Sequence, residues 1–145
     1  MGDSLRVPAL TDEVRTVCAF IANVAREAGM EDWEVFHCEL AVEEAFVNIA
    51  EYGFEGFDPD DLHDHSYVDI VAEVDGEVLT ITICDNSPPF NPLEMEDPHI
   101  TPDIQQIETG GLGIHFYKKL MDYVHYEYRN GENRLTLRKV QHQDA

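Results

Sequence analysis

The stretch ELAVEEAFVNIAEYGF, residues 39–54, decides how this chain is read. It sits inside a segment from about Asp32 to Tyr52 whose apolar residues follow helical spacing. On the helical projection Cys38, Val42, Ala45 and Ile49 form one apolar stripe, while Phe36, Leu40 and Val47 lie almost opposite. A helix apolar on two sides is hemmed in by two neighbours. One gap between the stripes carries Glu39 and Glu43, which suit water; the other carries His37, Glu44 and Asn48. Glu44 and Asn48, four residues apart, project together. Such a pair reads as a surface contact on an ordinary helix and as a cleft pair on one flanked by two apolar stripes. In a cleft, an amide oxygen suits Mg2+, which prefers oxygen donors and retains waters. A carboxylate beside it can take a proton from an attacking hydroxyl.

Toward the C-terminus, Val68, Ile70, Ala72 and Val74 alternate, Asp75-Gly76 marks a turn, and Leu79, Ile81 and Ile83 alternate again. This is a hairpin. It runs into ICDNSPPFNPL, residues 83–93, where Asp85 ends an apolar strand at the mouth of the sheet. There a carboxylate can accept a hydrogen bond from an exocyclic amine such as adenine's. It can equally be a turn aspartate before Asn86 and Ser87. Between Asp85 and Gly110 periodicity is weak, and Pro88, Pro89, Pro92, Pro98 and Pro102 oppose regular structure, which predicts a lid or binding segment.

The next stretch, TGGLGIHFYKKL (109–120), places Gly110, Gly111 and Gly113 before the apolar-periodic Ile114, Tyr117, Leu120 and Met121. Free N–H groups at a helix start suit an anion such as phosphate. Alone, the glycines serve as well for a flexible joint. The segment YVHYEYRNGENRLTLRKV, residues 123–140, predicts a second hairpin turning at Asn130-Gly131.

Toward the N-terminus, LRVPAL (5–10) reads as an edge strand, because Pro8 cannot donate within a central ladder. Thr11 is the expected cap of a helix carrying Val14, Val17, Cys18, Ile21, Val24, Ala25 and Ala28, stopped by Gly29. GFEGFDPDDLHDHS (53–66) reads as a polar, turn-rich connection, and its His63 and His65 carry little weight as metal ligands. The order of elements predicts an α/β two-layer sandwich with a mixed, largely antiparallel sheet and helices on one face. Residues 1–145 are expected to form one domain, with a core of about 5–140.

Composition narrows function further. Apolar residues at 43% and charged residues at 27% are ordinary for a globular domain, but the net charge is −21. Such a chain repels a phosphate backbone, which argues against direct nucleic-acid binding. Six of the nine basic residues lie in the last third, where a polyanionic ligand is to be sought. No apolar run is long enough for a membrane span and the first residues lack a signal-peptide core, so a cytoplasmic location is expected. Cys18, Cys38 and Cys84, odd in number and unpaired in motif, are expected to be reduced.

Taken in order, ExxxN on a helix, Asp-x-Ser-x-Pro-Phe after a strand, a long lid and GGLG opening a helix resemble the GHKL superfamily with its Bergerat ATP-binding fold. Within it the chain looks most like the bacterial anti-sigma regulatory factor serine/threonine protein kinases. The likeness extends from about Leu5 to Val140, through an N box (ELAVEEAFVNIAEYGF), an adenine-contacting box (DNSPPFNPLE) and a glycine box with its closing hairpin. The resemblance implies Glu44 as general base, Asn48 as Mg2+ ligand and Asp85 as adenine anchor, with Ser87 beside it. It implies Gly110, Gly111 and Gly113 as the phosphate loop. It further implies ATP and Mg2+ as cofactors, a STAS-domain anti-anti-sigma protein and a sigma factor as partners, and a homodimer. The alternative is a nucleotide-binding partner-switch module without phosphoryl transfer. Two positions depart from the pattern: Ser87 stands where many members have glycine, and Glu51 where related histidine kinases carry a basic residue. The second removes a phosphate contact and implies modest nucleotide affinity.

Overall fold

A computed structural model describes residues 2–54, 57–89 and 119–141. Five strands form one sheet, β1 (Gly2–Val7), β2 (Val68–Asp75), β3 (Val78–Asp85), β4 (Tyr123–Arg129) and β5 (Glu132–Val140), in the spatial order β1-β2-β3-β5-β4. Each of the four pairings is antiparallel. The largely antiparallel sheet read from the sequence is therefore antiparallel throughout the described residues. The edge strand lies where Pro8 requires it, but it runs over Gly2–Val7 and ends just before the proline.

Both hairpins have two-residue turns with glycine in the left-handed region. In the first, Asp75 pairs with Val78, so the turn is Gly76-Glu77, one residue beyond the expected pair, with Gly76 at φ +62°. In the second, Asn130 and Gly131 both have positive φ, 55° and 79°, the combination that matches strand twist.

Helix α1 (Val14–Glu27) buries Val17, Ile21, Ala22, Val24 and Ala25. It grows out of a 3-10 turn over Thr11–Glu13 whose cap is Leu10, with no side-chain hydrogen bond, so Thr11 is not the cap its residue type suggests. Its end follows the glycine rule. Gly29 adopts φ +86°, its N–H bonds the carbonyl of Arg26 at 3.0 Å, and Met30 N–H reaches back to Ala25 at 3.1 Å. Helix α2 (Asp32–Asn48) passes directly into a wider π turn over Ile49–Gly53. At its start the Glu34 carboxylate accepts from the Glu31 N–H at 3.0 Å.

The expected stripe of Cys38, Val42, Ala45 and Ile49 is buried, together with Val35, Ala41 and Phe46. The opposite stripe is not: Phe36 is 60% exposed, and Leu40 and Val47 are only partly covered. Among the described residues, the covered flank of α2 is the one that carries Cys38, Val42 and Ala45. The connection 53–66 also departs from expectation. Asp58 caps a helix, α3 (Pro59–His65), by accepting from Asp60 N–H at 3.0 Å, with Pro59 in its first turn.

One core joins α1 and α2 to the inward row of the sheet, including Ile70, Leu79, Ile81, Ile83, Leu135 and Leu137. At one end of that row Lys139 is only 4% exposed; its Nζ donates to the Leu120 carbonyl at 2.6 Å and lies 3.1 Å from His37 Nδ1. Gly29→Ala would force a left-handed conformation on an L side chain at about 1–2 kcal/mol. Urea unfolding is expected to show that loss as a lower midpoint with an unchanged slope.

Candidate active site

The inward period of β3 carries Leu79, Ile81 and Ile83 and then Asp85, which is consequently 2% exposed. Three hydrogen bonds converge on its Oδ1: from Ser87 N–H at 2.9 Å, from the Ser87 hydroxyl, and from Asn133 Nδ2 at 3.2 Å. Oδ2 has no partner among the described residues and is the oxygen left for a ligand donor. Burial pushes the Asp85 pKa up, outweighing the lowering effect of the Ser87 and Asn133 hydrogen bonds.

Asn133 was not visible in the motifs. It sits directly opposite Asp85 in the β3–β5 register, and its Nδ2 also lies 2.9 Å from Ser87 Oγ and 3.0 Å from the Pro88 carbonyl. Its Oδ1 accepts from Tyr126 OH at 2.5 Å, which orients the amide. The signal was present in the Asn130-Gly131 turn, which sets the β4–β5 register. The pairing of β5 with β3 spans almost fifty residues and no local pattern encodes it.

The neighbouring loop is held on both sides. Asn86 accepts from Tyr67 N–H at 2.9 Å and donates to the His65 carbonyl at 2.8 Å. A Cβ on Gly53 would lie 3.0 Å from Ser87 Oγ and 3.3 Å from Ser87 Cβ, so the end of the α2 segment packs closely on the loop and a side chain there would require Ser87 to give by a few tenths of an ångström.

Glu44 and Asn48 do share one face of α2, and three of their side-chain polar atoms are unsatisfied among the described residues. Asn48 is 1% exposed, and among the described residues neither Oδ1 nor Nδ2 has a hydrogen-bond partner; the same is true of the buried Glu44 Oε2. Buried polar groups are nearly always paired, so such a cluster calls for a partner beyond the described residues. The half-buried Glu44 has a raised pKa, first from desolvation and then from the charges of Glu43 and Glu51. An orphaned amide oxygen beside an orphaned carboxylate is a donor set that fits a hard cation with retained waters. Gly110, Gly111 and Gly113, with most of the expected lid, lie outside the described residues. Among the described residues no group of three His, Cys, Asp or Glu could hold a metal by itself.

The fold is an α/β domain with an antiparallel five-stranded sheet. The chain matches the histidine kinase-like ATPase domain family over residues 7–139 and belongs to it. It is similar to the serine/threonine-protein kinase BtrW of Bordetella bronchiseptica (strain ATCC BAA-588 / NCTC 13252 / RB50), at 24% identity over 102 residues, 70% of this chain and 68% of that protein. The crystal structure of the RsbU and RsbW domains of Rv1364c from Mycobacterium tuberculosis superposes on the whole chain with a TM-score of 0.70 at 15% identity. The chain spans 34% of that longer protein, and the likeness shows a shared fold. Membership in an ATPase-domain family makes ATP the nucleotide to expect. No described helix is long and apolar enough to cross a membrane.

The raised Asp85 pKa has a signed consequence. A carboxyl whose folded pKa exceeds its ordinary value of 3.8 costs the fold nothing well below that value. It costs progressively more as pH rises through that value toward the raised one. Asp85→Asn removes this part. The nucleotide-free variant is expected to gain stability relative to wild type as pH rises above about 4, read as the difference in thermal midpoints. A difference that does not change with pH would show that Asp85 is not desolvated as described.

Proposed function

We propose that this protein is an ATP-dependent serine protein kinase acting as an anti-sigma regulatory factor. In this reading it works in the cytoplasm as a homodimer, binds a sigma factor, and phosphorylates a serine of a STAS-domain anti-anti-sigma partner. The observation that carries the proposal is the unpaired, buried Asn48 amide one helical turn from the unpaired Glu44 oxygen. The family match and the relative named a serine/threonine-protein kinase support it.

Each residue has a task set by its surroundings. Asn48 Oδ1 is the atom to hold Mg2+, which when bound supplies charge neutralisation at the phosphates. Glu44, on a rigid helix, accepts the proton of the serine hydroxyl; its raised proton affinity suits a base. Asp85 Oδ2 accepts from the adenine amine while Ser87 and Asn133 hold Oδ1, so the anchor is oriented before nucleotide arrives. Gly110, Gly111 and Gly113 form the phosphate cradle in this reading. A switch module that binds nucleotide without transferring phosphate is the second reading. It is favoured by Glu51, whose charge acts on Glu44 from the position where related kinases carry a base.

Labelled ATP with Mg2+ and candidate STAS-domain proteins separates the two readings. Glu44→Gln keeps the shape and removes the proton acceptor, so transfer is expected to fall about 10²–10⁴-fold while ATP affinity holds or improves. Asn48→Ala is expected to weaken Mg-ATP binding itself. Calorimetry is expected to show ATP preferred over GTP, and loss of the Asp85 carboxylate to cost about 1.5–3 kcal/mol of binding. Normal transfer by Glu44→Gln rejects the base assignment. ATP binding without labelling of any partner selects the switch module.

A further inference from the structure

The cleft between α3 and the end of the α2 segment has no part in the site above. It encloses about 370 Å³, with Phe54, Phe57 and Leu62 as its apolar wall and Asp61, His65 and Asn86 at its rim. The Phe54 and Phe57 rings meet edge to face, with centroids 5.4 Å apart, and Phe57 remains 48% exposed. The rim is acidic. Asp61 is its acidic lining residue, and Asp58, Asp60 and Asp64 are near it in a stretch, residues 53–66, that contains no lysine or arginine. Asp61 is exposed and has no hydrogen bond or ion pair among the described residues.

From this geometry we infer that the cleft is a docking socket for an arginine-bearing apolar segment of a partner protein. The volume is at the small end of ligand-holding cavities and suits one long side chain with its flanking residue. An arginine stem lies along Leu62 and Phe57, its planar guanidinium pairs two-pronged with the Asp61 carboxylate, and an aromatic face beside it adds attraction. Charge complementarity sets the class of partner: a chain of net charge −21 with an unpaired aspartate at an aromatic cleft selects a basic, apolar segment over an acidic one.

The socket adjoins the nucleotide side through Asn86. Asn86 lines the cleft, spans from Tyr67 to His65 through its amide, and follows Asp85 directly. A docked segment therefore touches the residue next to the adenine anchor. The inference does not depend on phosphoryl transfer.

The test is a titration of the full chain, followed by amide chemical shifts at about 0.15 M salt, where surface charges are largely screened. The probe is the peptide acetyl-Leu-Arg-Leu-amide; its citrulline analogue is the same shape without charge. Saturable shifts confined to residues 57–66 and Asn86 are expected. Asp61→Asn, Phe57→Ala and the citrulline peptide should each weaken binding about three- to ten-fold. Phe57→Ala, at a half-exposed site, keeps the test valid if Asp61→Asn disturbs α3. Equal binding of the citrulline peptide, shifts spread over the acidic surface, or arginine amide binding as tightly as the peptide would each overturn the proposal.

Discussion

Everything at the active end of this molecule depends on the position of β3 between β2 and β5, hydrogen-bonded along both edges. A strand held on both sides cannot slip, because a one-residue shift would turn its whole apolar row to the other face. Its inward row is Leu79, Ile81, Ile83 and Asp85, and the facing row of β5 is Asn133, Leu135, Leu137 and Lys139. The middle of both rows is hydrocarbon. Asp85 and Asn133 close them at one end and Lys139 at the other, so the register that builds the core also brings a carboxylate and an amide face to face.

That arrangement carries an energetic cost which the chain meets unevenly. Asp85 is desolvated but receives three hydrogen bonds on one oxygen. Glu44 and Asn48 receive none on the atoms that are buried. An unpaired buried polar group costs roughly 1–3 kcal/mol, so the nucleotide-free fold holds unfavourable interactions in one small region. A ligand that satisfies those atoms binds the folded state alone and recovers stability by mass action. The polar residues at risk are thus those given the chemistry, while the hydrocarbon rows supply the stability that makes them tolerable.

How much of this the sequence showed depended on the range of each interaction. The hairpins, Gly29 and the buried stripe of α2 are local signals, readable from turn chemistry and period, and they appear where expected, save that the first hairpin turns one residue later. Glu44 and Asn48 fall on one face because their spacing is a property of the helix. Helix α3 was missed because its aspartates read as loop composition, although Asp58-Pro59 is a helix-start signal. Thr11 was misassigned because a 3-10 turn intervenes before α1. Asn133 was missed for a deeper reason. Its role exists only through the β3–β5 register, a pairing across a long stretch of chain that no local pattern records.

The π turn at Ile49–Gly53 joins the two halves of the site. In a continuous α-helix, residues 44, 48 and 51 would follow one another along a single face, placing the Glu51 charge in line with Glu44 and Asn48. The wider winding advances each residue by less rotation, which carries Glu51 off that line to an exposed position. The Glu51 charge still raises the Glu44 pKa, but as the last of the causes that act on it. The same wide turn delivers Gly53 against Ser87, the residue that holds Asp85. The same stretch of wider winding thus carries both the exposed Glu51 and the Gly53 that meets Ser87. A side chain at Gly53 would press on Ser87, the residue that donates to Asp85, and the serine would have to give by a few tenths of an ångström.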